Sequence, residues 1–155
     1  MVGFSLTLVG LSMAVTQAVV IGRVVKRLGE RRTALLGMTA GLIAFLCYAF
    51  LTNGYFALAL IVFNGLQGMT MPALNAMMSQ RTPPSQQGEL QGLNGSMAAL
   101  AILLAQVVYN NVLAHFTSNA SPVHFPGASF LIAAAVTIVA MAALFLLAKR
   151  PETAT

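Results

Sequence analysis

The sequence predicts an all-α integral membrane fold with five transmembrane helices. Only 7% of its 155 residues are charged and 58% are hydrophobic, whereas a soluble domain carries about 25% charged residues. Charge this scarce cannot clothe a water-facing surface, so most of the surface must meet lipid. The apolar residues also gather into five runs, each close to the roughly 20 residues that cross a hydrocarbon core. Lipid offers the backbone no partners, and runs of this length are helices rather than the shorter strands of a barrel. Finally, the eight Lys and Arg residues sit at the ends of these runs, where they act as topology signals.

The first span covers residues 2–21 and contains Gln17. No basic residue precedes it and no cleavage site follows, which argues against a signal peptide. The stretch GRVVKRLGERR, Gly22 to Arg32, comes next and reads as a basic loop at the membrane edge. Arg23, Lys26, Arg27, Arg31 and Arg32 place five of the eight basic residues there. Gly22 and Gly29 permit a tight reversal that side chains would crowd. Basic residues closing the first helix, and Glu30 opening the second, complement the helix dipoles. The second span covers 34–51. Cys47, the only cysteine, reads there as a small core residue that forms no internal disulfide and no metal site alone.

The third span covers 55–77, with Asn64 and Gln67 three residues apart on one helix face. Pro72 should kink this helix or mark a break in it. In the following loop, Ser79 to Glu89, the pair Pro83-Pro84 stops the helical path and Ser85 suits an N-cap. The fourth span covers 90–113 and carries Asn94, Ser96 and Gln106. A connection from Ala114 to Gly127 holds His115 and His124, read as solvated loop histidines. The fifth span covers 129–148. Gly37 with Gly41, and Gly88 with Gly92, form small-xxx-small pairs that allow close helix approach. In a chain this rich in Ala and Gly, chance accounts equally well for either pair taken alone.

With five spans, the first, third and fifth end on one side of the membrane. All eight basic residues then fall on that side, together with Glu30, Glu89 and Glu152. The positive-inside rule makes that side cytoplasmic, with the C-terminus inside. The same clustering argues against nucleic acid as the partner of the net positive charge. No constellation for enzyme chemistry is visible: there is no paired carboxylate in a core, no His/Cys metal cluster and no phosphate loop. The informative groups are amides inside the spans. An amide in lipid needs a partner. Gln17, Asn64, Gln67 and Asn94 either bond helix to helix or line an aqueous cavity that contacts a ligand.

GRVVKRLGERR resembles the degenerate second copy of the major facilitator loop motif, whose fuller form is Gly-x-x-x-Asp-Arg-x-Gly-Arg-Arg/Lys. Gly22, Arg27, Gly29 and Arg31 match it. Lys26 stands where the aspartate would be, and Glu30 where the first arginine of the closing pair would be. Residues 71–96, MPALNAMMSQRTPPSQQGELQGLNGS, resemble the junction of helices ten and eleven in the tetracycline-efflux branch of drug:proton antiporters. HFPGASFLIAAA, His124 to Ala135, resembles the lead into the last helix of that branch. The resemblance spans essentially the whole chain. It implies that residues 1–155 are a C-terminal transmembrane bundle whose spans correspond to family helices eight to twelve, an incomplete six-helix half.

The resemblance implies a secondary-active, proton-coupled efflux transporter of a bacterial inner membrane, working by alternating access. Its partners would be the bilayer, a small drug-like molecule and a missing N-terminal half; it would need no cofactor beyond the proton gradient. Asn64, Gln67, Gln17 and Asn94 become substrate-cavity candidates. Gly22, Arg23, Lys26, Arg27, Gly29, Arg31 and Arg32, with Arg81 and Glu89, become a cytoplasmic gate. Two departures matter. Gly41 stands where the resemblance implies the acidic residue that tetracycline pumps carry in helix nine, and Met13 where some of them carry a histidine four residues before a glutamine, which matches Gln17. These departures favour a broader drug or metabolite exporter and move the coupling carboxylate into the missing half. The alternative is a self-contained five-span protein that acts by assembly, as a structural or regulatory subunit.

Overall fold

A computed structural model describes residues 2–51, 56, 60, 65–117, 125 and 127–147. Among the described residues every regular element is a helix. The first is α1 (Val2–Val15), continued without a break by a π turn (Thr16–Val20) and α2 (Ile21–Leu28). α3 runs Glu30–Phe50. A 3-10 turn (Gly65–Met69) leads into α4 (Thr70–Gln80), and a second (Pro84–Gln86) leads into α5 (Gln87–Thr117). The last helix is α6 (Ala128–Leu147). Among the described residues, four helical stretches are long and apolar enough to cross a membrane: Thr7–Leu28, Glu30–Phe50, Pro84–Thr117 and Ala128–Leu146. The expected third span is described only at residues 56 and 60, both helical, and from Gly65 onward.

The helices overrun the apolar runs. α5 has 31 residues, about 46 Å at 1.5 Å each, against a hydrocarbon core of about 30 Å. A helix satisfies its own backbone whether lipid or water surrounds it, so the membrane edge does not end it. This corrects the reading of Gly22–Arg32 as a loop. Gly22 through Leu28 are helical, Glu30 begins α3, and the reversal is made at Gly29 alone, whose φ is +78°. Only glycine adopts that conformation without strain. Thr33 closes the corner, its hydroxyl donating to the Gly29 carbonyl at 2.7 Å.

One further expectation is corrected at the Pro83-Pro84 turn. Ser85 is not an N-cap; it lies inside the 3-10 turn, which has no side-chain cap. Gln87 holds the corner instead. Its amide donates to the carbonyls of Ser79 (2.9 Å) and Thr82 (2.8 Å) and accepts from the Ser79 hydroxyl (2.9 Å). In the third span Pro72 is the third residue of α4, and the expected break is the change from 3-10 to α just before it.

α3 is the hub, in contact with α4, α6, α2 and the Gly65–Met69 turn. It can be, because the side it buries is small: Thr33, Ala34, Gly37, Ala40, Gly41 and Ala44. A Cβ on Gly37 would lie 3.1 Å from the Thr70 backbone nitrogen and 3.3 Å from the Leu66 carbonyl oxygen. α6 packs along α3 at both ends. Gly127 sits against the Ala49 carbonyl, and Tyr48 meets Phe130 with ring centroids 5.5 Å apart. At the other end the Arg31 guanidinium lies 5.8 Å from the Phe145 ring centre, a cation–π contact. Of the two expected glycine pairs, Gly37/Gly41 is a helix contact, whereas Gly88 and Gly92 face open space.

Candidate functional site

A cleft of about 470 Å³ opens between the first helix and the break before α4. Met13 and Gln17 form one wall; Gln67, Gly68, Met71, Pro72 and Asn75 form the other. The local structure explains how these residues meet. Gln17 lies in the π turn, where one extra residue per turn shifts the side chains relative to a regular helix. Gln67 lies in the 3-10 turn. Gly65 lets the 3-10 turn close on α1, just before the π turn: a Cβ there would come within 2.8 Å of the Ser12 hydroxyl oxygen. Gln67 itself rests on α3. A Cβ on Gly41 would lie 2.7 Å from its amide carbon and 3.0 Å from its amide nitrogen.

The cleft is lined by neutral groups. Three amides, Gln17, Gln67 and Asn75, share it with two thioethers and a proline ring. Amides both donate and accept hydrogen bonds, and methionine side chains adapt to varied apolar shapes. Such a wall can bind a flat or irregular amphipathic molecule without a charge of its own. Of the expected cavity residues, Gln17 and Gln67 are therefore brought together. Asn94 reaches the edge through Asn75, donating to its side-chain oxygen at 3.4 Å. Asn64 lies outside the described residues. Gln106 is exposed on α5, away from the cleft.

Asn75 was not among the sequence candidates, although a signal for it existed. Gln67, Met71 and Asn75 recur every four residues, the spacing of one helix face. The 3-10 turn puts Gln67 slightly off that face but keeps it in the cleft. His115 is exposed at the end of α5, His124 lies outside the described residues, and no group of three His, Cys, Asp or Glu among the described residues is placed to hold a metal.

The two basic-side corners are joined by one hydrogen bond, from the Gln80 amide to the Glu30 carboxylate at 2.7 Å. It links the end of α4 to the start of α3. Around it, Arg23, Lys26, Arg27, Arg32, Arg81 and Glu89 are exposed. Arg23 donates to the Val19 carbonyl at 3.2 Å. Arg31 is half-buried, its Nε without a hydrogen-bond partner among the described residues.

The family model of the Major Facilitator Superfamily matches residues 1–155. The class C tetracycline resistance protein of Escherichia coli is 32% identical over 144 residues, which cover 93% of this chain and 35% of that protein. The class B protein of Escherichia coli is 39% identical over 117 residues, covering 73% and 29%. The class G protein of Vibrio anguillarum is 41% identical over 100 residues, covering 64% and 25%. The chain thus spans about a third of the length of the curated relatives it matches. No solved structure gives a significant match.

Proposed function

The chain belongs to the major facilitator superfamily, and from that premise we propose that it is the C-terminal part of a proton-coupled efflux transporter for drugs or related small molecules. The observation that carries this reading is the cleft in which Gln17, Gln67 and Asn75 converge on a wall of Met13, Met71 and Pro72. Structural amides in lipid bond to one another across helices. Among the described residues, Asn94 bonds Asn75 in this way, while Gln17 and Gln67 face a space large enough for a ligand. Binding belongs to this wall; the second wall, two-sided access and the proton-coupling carboxylate belong to chain beyond residues 1–155. The Gln80–Glu30 bond supports a cytoplasmic gate in which α4 and α3 move as one body.

The test uses the whole protein that contains this chain, in cells lacking related pumps. Gln17→Ala and Gln67→Ala should each lower efflux of an accepted drug several-fold while leaving membrane insertion intact. Efflux unchanged by both substitutions would remove the cleft from the mechanism. Residues 1–155 expressed alone should export nothing, because one wall gives neither two-sided access nor a proton path. The alternative, a self-assembling subunit, is favoured only by the uncovered face of α5; a stable homo-oligomer of this chain that excludes any other polypeptide would select it.

A further inference from the structure

α3 has two faces. Thr33, Ala34, Gly37, Ala40, Gly41 and Ala44 are buried, whereas Arg32, Leu36, Thr39, Ile43, Leu46 and Phe50 are exposed. At about 100° per residue the two sets lie on nearly opposite sides of the helix. The exposed side looks away from α4 and α6, which cover the buried one. Among the described residues no element covers that side, which leaves it open to lipid. Near its basic end it carries a groove of about 320 Å³, lined by Leu28, Arg32, Leu35, Leu36 and Thr39.

The chain builds this groove by its corner. Gly29, at φ +78°, turns the backbone so that Leu28, the last residue of α2, stands against the opening turns of α3. The walls are therefore leucine and the mouth is a guanidinium. Lys26 and Arg27 are exposed next to the corner, and among the described residues none of these cations forms an ion pair. The adjacent carboxylate, Glu30, accepts instead from Gln80.

We propose that this groove binds an anionic phospholipid of the adjoining leaflet, with one acyl chain between Leu28, Leu35 and Leu36 and the phosphate on Arg32. The complementarity selects the occupant. A free phosphate would leave the leucine walls empty, and a neutral lipid would leave the cationic mouth without a counter-charge. A phospholipid with a net negative head satisfies both, and the surface fields of anionic leaflets act on basic side chains at this depth. The site is separate from the amide cleft and does not depend on the transport reading.

The chain has no tryptophan, so Ile43→Trp, on the exposed face beyond the groove, makes a single reporter. Its fluorescence is measured in bilayers holding equal amounts of phosphatidylglycerol and phosphatidylcholine, with one or the other brominated on its acyl chains. Brominated phosphatidylglycerol should be preferred about fivefold, the enrichment one surface basic residue contributes. Arg32→Gln should remove most of that preference and Arg32→Lys should keep part of it. Arg81→Gln, an equal loss of charge at the other corner, should leave it in place. Equal quenching by the two lipids overturns the proposal. So does a preference lost as fully in Arg81→Gln as in Arg32→Gln, which would mean only a diffuse field. Absence of quenching by either lipid also overturns it, since protein would then cover this face.

Discussion

α3 and α5 read alike as sequences and behave oppositely as structures. Each is an apolar helix long enough to cross a membrane, yet 39% of the α3 span is buried within the chain and none of the α5 span is. α3 presents small residues to several neighbours and large ones to the outside. α5 leaves Leu93, Met97, Leu100, Leu104 and Val107 exposed and also leaves Gly88, Gly92 and Gly95 facing open space. Apolarity declares that a segment enters the membrane. It does not declare what the segment packs against, because lipid tails are as apolar as leucine and association rests on close fit. Small residues are the means of close fit, and on α5 this chain does not use them. On the transporter reading, that face is met by chain beyond residues 1–155.

The sharpest way to break the comparison is to load a leucine on each helix. Gly37→Leu drives side-chain bulk into the Thr70 and Leu66 backbone and should cost about 3 kcal/mol, at the upper end of overpacking. Gly92→Leu should cost this chain almost nothing, since among the described residues no atom of another element stands within 4 Å of its Cβ position. Thermal unfolding read by the exposure of Cys47, half-buried on α3, measures both. Equal losses would show that α5 packs as tightly as α3. On the transporter reading, Gly92→Leu should instead lower efflux by the whole protein, and that difference between the two settings would locate the partner of α5 outside this chain.

The attachment of α5 to the hub gives a smaller effect. Gln87 makes three hydrogen bonds, two to Ser79 of α4 and one to Thr82 just after it, so Gln87→Ala should cost about 1–2 kcal/mol, given a net of about 1 kcal/mol or less for each partly solvated bond. The loss should appear as freer movement of α5, measured as the distance distribution between spin labels at residues 39 and 93, with the α3–α6 contacts unchanged. An unchanged distribution would mean that α5 is held elsewhere along its length.

Gly41→Ala tests the hub where it meets the cleft. The atoms in its way belong to the Gln67 side chain, which is flexible and can move, so the stability cost should stay below about 1 kcal/mol. On the transporter reading, the displaced amide should nevertheless change which drugs the whole protein exports. An unaltered drug profile, with Gln67→Ala changing it, would mean that Gln67 does not need α3 as its support. Smallest of all, Phe145→Leu should cost roughly 0.5 kcal/mol through the lost contact with Arg31, read in the same thermal assay. A loss several times larger would show that the Arg31 end of the α3–α6 pair bears more of the packing than its geometry indicates.

Much of this molecule was legible in its residues. Scarce charge and the length of the apolar runs determined an all-helical membrane chain, since lipid leaves the backbone no other way to satisfy itself. The loop motif and the 71–96 and 124–135 segments pointed to the family that the whole-chain match bears out. Gln17 and Gln67 stood out because an amide inside an apolar run is costly unless it is used. Other features needed the third dimension. That Gly22 is helical and Gly29 alone turns the chain depends on where a self-satisfied helix stops, which hydropathy does not encode. That Gly37/Gly41 is a contact and Gly88/Gly92 is not depends on which helix stands opposite. That Asn75 joins Gln17 and Gln67 depends on a π turn and a 3-10 turn coming together, with Gly65 closing on α1 beside them. Local composition sets the solvent of each segment; only the packing of segments decides which of their polar groups share a space.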